Sequence, residues 1–268
     1  MIGFLLKKNF FDTWDNFFKI AIINMGFLAS AAFPVFVPGL LVSVPALDLL
    51  ALLVGFLWCF VYLSAAALSL RRVSDYGNFG FADFLENLKA AWPAGLVLGA
   101  IVFALYMLST IAIPFYLGMK SAIGLLFAAF IFWTMVMAVL ALQFFFALRA
   151  RLESRMIKAI KKCFLVFFDN PAFCVFSLFH NLFLLAICMF PVFLFVPGPA
   201  GMLLFLDEGL RLRLLKYDWL ESNPVPENRK AVIRKVPPQK IPWDAILIDE
   251  REKTGSRSLK NFIFPWKD

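Results

Sequence analysis

Three polar side chains lie inside runs that otherwise read as membrane-crossing: Asn24, His180 and Asn181. A polar or ionisable group in hydrocarbon is costly unless bonded, so each is a functional candidate. The chemistry open to them is narrow. His180 is the only histidine in the chain, and one imidazole inside a bilayer can assemble neither a metal site nor an acyl-transfer triad. The sequence carries no glycine-rich phosphate loop, no HExxH and no carboxylate pair at catalytic spacing. No catalytic residue, no metal and no cofactor is expected, and the chain reads as a protein that is not an enzyme. Asn24 and Asn181 each precede a Phe-Pro by the same nine residues, about 13 Å of helix. Two roles are open to that pair: a hydrogen bond between helices, or the wall of a small-solute path. Asp48 reads as an interfacial carboxylate. Asp207 and Glu208 fall near the inner end of the last apolar run, where Arg211 stands at i,i+4 spacing to Asp207 and could pair with it.

The elements that must hold these residues follow from composition. Of 268 residues, 62% are hydrophobic, 16% are charged and 34 are Phe, and the mean hydropathy is +0.82. Soluble domains average about 45–50% apolar and about 25% charged. Apolar runs near 20 residues recur, the length of helix that crosses about 30 Å of hydrocarbon. The fold class expected is an all-α, polytopic membrane helix bundle. Cys59, Cys163, Cys174 and Cys188 form no CxxC pair and read as small buried apolar residues. Ala29-Ser30-Ala31 resembles a signal cleavage site, but the segment before it is long, aromatic and carries Asp12 and Asp15. The first span is therefore expected to be retained.

Proline and glycine punctuate the runs. "FPVFVPG" places Pro34, Pro38 and Gly39 at the end of the first. "IPFYLG" places Pro114 and Gly118 at the end of the third. "FPVFLFVPG" places Pro191, Pro197 and Gly198 in a stretch without Asp, Glu, Lys or Arg from Pro171 to Leu206. These motifs are expected to be the far turns of helical hairpins. "NMGFLASAAFPVF" and "NLFLLAICMFPVF" align without a gap on Asn, Leu, Ala and Phe-Pro-Val-Phe. Upstream, Lys7–Asn16 and Lys161–Asn170 both read K-K-x-F-x4-D-N. An internal duplication follows: six transmembrane helices as three hairpins (about 17–70, 93–148 and 171–213), each preceded by a cytoplasmic interfacial helix, in a transmembrane domain of residues 1–216.

Charge placement checks that topology. With three hairpins, Lys120 is the only one of 26 Lys and Arg residues on the far side. The positive-inside rule then makes the near side, with both termini, cytoplasmic. The net charge of +8 is a topology signal and implies contact with anionic lipids of the bilayer; nucleic acid is not expected. Residues 217–268 form a basic, Pro-containing cytoplasmic tail. It holds two apolar islands, "IPWDAILID" and a terminal one with Phe262, Phe264 and Trp266. Those three residues suit interface anchors, and the islands are expected to dock back onto the protein or the bilayer, a partner-binding motif being the alternative.

The layout resembles the YesL-like family of small bacterial integral membrane proteins of unknown function. The likeness rests on a first span ending in proline, the "FADFLENLK" stretch before the third span and the basic helix ends, over about residues 10–216. It implies a multi-pass protein of the bacterial cytoplasmic (inner) membrane. It also implies an accessory role in carbohydrate uptake, with a sugar permease as partner, and brings no catalytic residues. The long basic tail departs from the family pattern. The reading is thus a non-catalytic membrane accessory or scaffold protein. The alternative is a small-solute transporter or channel using Pro/Gly-interrupted helices.

Overall fold

The computed structural model describes residues 1–152, 155–223, 241–255 and 257; the expected anchors Phe262, Phe264 and Trp266 lie outside the described residues. Among the described residues the chain is helical throughout, without a strand. Helix α1 (Ile2–Asp15) leads at Asn16 into α2 (Phe17–Leu40). Helix α3 (Pro45–Ser74) starts with proline at its first position and ends on Arg71 and Arg72, which suit the negative end of the helix dipole. Helix α4 (Phe81–Met107), a π-helical turn (Leu108–Ala112) and α5 (Ile113–Gly118) form one continuous rod. The other apolar elements are α6 (Ala122–Leu142), α7 (Phe145–Arg151), α8 (Met156–Asp169), α9 (Pro171–Ile187), α10 (Pro191–Phe195) and α11 (Gly198–Ser222). Two short helices, α12 (Trp243–Ile246) and α13 (Ile248–Thr254), come from the tail.

Among the described residues, four helical rods are long and apolar enough to cross a membrane: Phe17–Leu40, Pro45–Ser74, Phe81–Gly118 and Ala122–Arg151. A fifth exists if α8 and α9, bent by 104° at their junction, count as one span. Only 11–33% of the most apolar window of each rod is buried, so most of the large side chains along them face outward and need hydrocarbon as their solvent.

The six-span expectation is not reached. Helix α9 has 17 residues, about 26 Å at 1.5 Å each, and α11 carries Asp207, Glu208, Arg211, Arg213 and Lys216.

The breaks also differ from their expected form. Helix α2 continues through Pro34 and Pro38 and includes Gly39, and the chain turns at Leu41–Val44. The neighbouring helix accommodates the prolines: a Cβ on Gly55 of α3 would come within 2.7 Å of Phe33 and 2.8 Å of Pro34. Pro114 does not end its helix either. The π-helical turn just before it absorbs the missing N–H and the ring clash. That rod includes Gly118 and ends in a turn through Lys120, at φ 49°. Pro93 lies inside α4, because the expected interfacial helix and third span are one element.

Helix α3 is the hub, packing on α2, α4, α7 and α11. Its contact with α4 is backbone-close: a Cβ on Gly95 would lie 2.6 Å from the Val61 nitrogen. Buried Ala65, Ala66, Ala91 and Ala94 serve the same small-residue packing. The larger core cluster sits toward the Arg71–Arg72 end of the hub, where Phe144, Phe145, Leu148, Phe205, Leu210, Leu5 and the tail's Leu247 are fully buried. Thus "IPWDAILID" docks on the protein.

Candidate functional site

Four elements bring charge together at the end of α3. Arg151 closes α7, Asp207 and Arg211 lie one turn apart on α11, and Ser74 and Asp75 end α3. The Arg151 guanidinium donates from Nε to Asp207 Oδ1 at 2.9 Å, and its Nη2 also reaches Asp207 Oδ2. It further donates to Asp75 Oδ1 at 2.9 Å and to the Ser74 hydroxyl at 2.8 Å. Arg211 donates to the Ser74 carbonyl at 2.9 Å, to Asp75, and to Glu250 of α13 at 2.7 Å. The expected Asp207–Arg211 pair is therefore not formed: the two side chains diverge to different partners. Arg151, Arg211 and, more weakly, Arg71 hold the Asp75 carboxyl below its ordinary pKa, although burial alone would raise it.

The network continues through Tyr76. At φ 60° this tyrosine is in the left-handed region. The Gly77 N–H bonds the Arg72 carbonyl at 2.7 Å, so Tyr76 stands where a helix C-terminus normally places glycine. That conformation costs a non-glycine residue about 1 kcal/mol or more. It aims the ring into the cluster. The Tyr76 hydroxyl donates to Glu250 Oε2 at 2.8 Å and lies 3.2 Å from the Thr254 hydroxyl. Lys8 of α1 stacks its ammonium 3.8 Å from the ring centroid and pairs with Asp12 at 2.6 Å. Burial pushes the Tyr76 phenol up. Burial alone would lower the fully covered Lys8 ammonium, but Glu208, Asp12 and Tyr76 outweigh it and hold it above the ordinary lysine value. Glu208 is itself fully buried, with the Asp12 and Asn9 side chains as its partners. The tail is tied down further by Lys7 to the Gly255 carbonyl at 3.1 Å and by Arg257 to Asp15 at 2.9 Å.

The two asparagines separate. Asn24 is fully buried in α2. Its amide donates to the Phe195 and Pro197 carbonyls, each at 2.8 Å, and its oxygen accepts the Ala200 N–H at 2.8 Å. It thereby satisfies the backbone groups freed where α10 breaks into α11, through a cis Val196–Pro197 bond and Gly198 at φ 53°. Gly198 also has no room for a side chain, since a Cβ would collide with the Asn24 amide. The break with Pro191, Pro197 and Gly198 thus sits about 10 Å along α2 from Phe17 and about 24 Å from Leu40. Asn181 takes no part in that closure: its side chain hydrogen-bonds His180, its neighbour in the chain. The His180 ring stacks on Phe205 with centroids 3.7 Å apart.

A cleft of about 570 Å³ opens beside this break, between α1, α9 and α10. Its walls are apolar and aromatic, but Asn9, Thr13 and His180 line it. Among the described residues, no group of three or more His, Cys, Asp or Glu is placed to hold a metal.

Sequence reasoning missed Asp75, Tyr76, Arg151 and Glu250. Asp75 and Tyr76 sit in a polar stretch that reads as a loop, Arg151 reads as a topology signal, and Glu250 lies in the tail. Nothing in their spacing links them. The signal available was the "SDYGN" run, with an acidic residue and an aromatic just ahead of a glycine. No family model, curated protein or solved structure matches the chain.

Proposed function

We infer that this is a non-catalytic accessory protein of the membrane, whose built surface is its cytoplasmic end and not a path through its spans. One observation carries the reading. The fully buried amide of the first span, Asn24, donates twice and accepts once, and all three bonds close the α10–α11 break. A transporter would keep such a break open to its solute. The ionic groups are gathered instead at the inner end, where they clamp a tail segment against the helix ends.

Topologically, the charge pattern supports both termini on the cytoplasmic side of a bacterial inner membrane, with Lys120 outside. In this reading the third hairpin is short: it enters from the cytoplasmic side, turns at the level of Asn24 and returns. The same side keeps the basic residues whether that hairpin crosses or not. Single cysteines at Ser43, Lys120, Val196 and Ser222 in intact cells test it. Labelling from outside is expected at Ser43 and Lys120 only; labelling at Val196 restores six full spans.

The association with carbohydrate uptake, and a sugar permease as partner, rest on the YesL-like layout. The test pairs two assays. Sugar uptake falls in cells lacking the protein, while the purified protein in liposomes moves no sugar. Solute flux in liposomes that Asn24→Leu changes would overturn the accessory reading in favour of a transporter.

A further inference from the structure

Lys19, in the first turn of α2, is a cation without an acid. Its ammonium donates to Asn16 Oδ1 at 3.0 Å and lies 5.8 Å from the centroid of the Phe79 ring. Among the described residues it pairs with no carboxylate. An ammonium has three donors, so two are left for an outside acceptor. The acids of the neighbouring segments are taken: Asp12 by Lys8, Asp15 by Arg257 and Asp83 by Arg72. The first turn of α2 holds no acid either, so the positive end of the helix dipole adds to the charge of Lys19. Lys19 stands at one end of a groove of about 410 Å³ between α2, α3 and the start of α4. The groove follows one face of α2 through Ile22 and Ile23 to Gly26, about 10 Å of helix beyond Lys19. Its other polar groups are spent. The Tyr62 hydroxyl donates to the Ile23 carbonyl at 2.8 Å, and the Gly80 N–H donates to Asp83 at 2.8 Å. Phe81 and Phe84 complete an apolar wall.

One cation at the mouth of an apolar trough fits an anionic head that carries a hydrocarbon chain. Exposed Trp14, just ahead of the span, marks the level of the membrane–water interface, and the trough runs from there into the depth of the span. A zwitterionic head would bring its own ammonium up to Lys19, where the neighbouring carboxylates are already paired. A small soluble anion would leave the trough without contacts. On the rim, Ile22 is 63% and Phe81 74% exposed, so the groove opens sideways to the bilayer and a second chain can stay outside. We propose that this groove holds one anionic phospholipid, with its phosphate on Lys19 and one acyl chain along Ile22, Gly26 and Phe84. The proposal rests on the membrane reading of the spans, and depends neither on the accessory role nor on which end faces the cytoplasm.

The test uses the full chain in phosphatidylcholine nanodiscs with a trace of phosphatidylglycerol that carries a photoreactive acyl chain. Saturable crosslinks are expected on peptides covering residues 19–26 and 81–84. Unlabelled phosphatidylglycerol competes at about tenfold lower mole fraction than phosphatidylethanolamine, the worth of one charge-assisted hydrogen bond. Lys19→Gln removes that preference and Lys19→Arg keeps it. Lys161→Gln, at an exposed position on α8, leaves it unchanged. Ile22→Trp fills the groove from its exposed rim and lowers the saturable labelling with the charge intact. Equal competition by the two lipids, or a preference that survives Lys19→Gln, would mean ordinary lipid contact and would overturn the proposal. A protein adduct formed in cells from a photoreactive residue at Phe81 would assign the groove to a partner's span, and would overturn it as well. Non-saturable crosslinks at exposed Phe130 and Trp133 of α6 report that the spans lie in lipid. With them, a groove that shows no saturable labelling refutes this site alone; without them, the membrane reading falls with it.

Discussion

The Tyr76 hydroxyl lies 2.8 Å from Oε2 of Glu250, across 174 residues of sequence. That bond, with the Arg211–Glu250 pair, joins the end of the hub helix to a tail helix of seven residues that is too short to be stable by itself.

Tyr76→Phe keeps the ring under Lys8 and removes the bond. The expected cost is about 1 kcal/mol, felt locally. Hydrogen exchange should quicken in residues 243–254 and stay unchanged in α3 and α4. Tyr76→Gly relieves the left-handed backbone as well, so the helix end tightens while the tail loosens. Equal protection of residues 243–254 in wild type and Tyr76→Phe would show that Arg211 alone holds the tail.

Arg151→Met leaves Asp207, 1% exposed, without its counter-ion. Breaking a buried pair from one side costs about 3–5 kcal/mol. A large fall in melting temperature in detergent is expected. The double variant Arg151→Met with Asp207→Leu should recover most of it, because no charge is then stranded. A double variant as unstable as the single one would place the stabilisation in packing.

Asn24→Leu orphans two carbonyls and one N–H at the α10–α11 break. At about 1–3 kcal/mol per buried orphan, it is expected to destabilise strongly, whereas Asn181→Leu removes only the bond to His180 and should cost far less. Gly198→Ala combines a disfavoured left-handed backbone with a collision on Asn24 and should resemble Asn24→Leu. Comparable losses for the two asparagine variants would contradict the separation of their roles.

The pH dependence follows from two groups outside the spans. The Asp75 pKa is depressed in the folded protein, so its contribution is present above the unfolded value, about 3.9, and is lost as pH falls through the folded value below it. The Lys8 pKa is raised. Its contribution is complete below the unfolded value, about 10.4, and is lost as pH rises through a higher folded value. The melting temperature should therefore be flat with respect to these groups from about pH 5 to 9. Asp75→Asn should flatten the acid limb only, and Lys8→Met the alkaline limb only. An acid limb unchanged in Asp75→Asn would assign it to other carboxylates.

Much of the architecture was legible in the chain. The four long spans follow from apolar length, and α3 is framed at both ends by the residues that helix termini favour, Pro45 and Arg71–Arg72. The docking of "IPWDAILID" follows from an apolar island in a polar tail. The prolines misled because their local effect depends on the neighbour. Pro34 is absorbed by a close approach to Gly55, and Pro114 by a π-helical turn. Asn24 and Asn181 look equivalent in aligned segments, yet one closes a backbone break and the other bonds only its neighbour His180.

What the sequence determined by itself is the class of object: an all-α protein with helices long and apolar enough to cross a membrane. Hydrocarbon admits only backbones that satisfy their own hydrogen bonds, and each helix does this with residues four apart. What only the tertiary structure decided is which groups meet. Arg151 finds Asp207 and Asp75, Tyr76 finds Glu250, and Asn9, Thr13 and His180 come together around one cleft. These pairings join residues far apart in the chain, and no local spacing encodes them. They are selected because a polar group buried in the helix bundle must find its partner wherever packing brings one within reach.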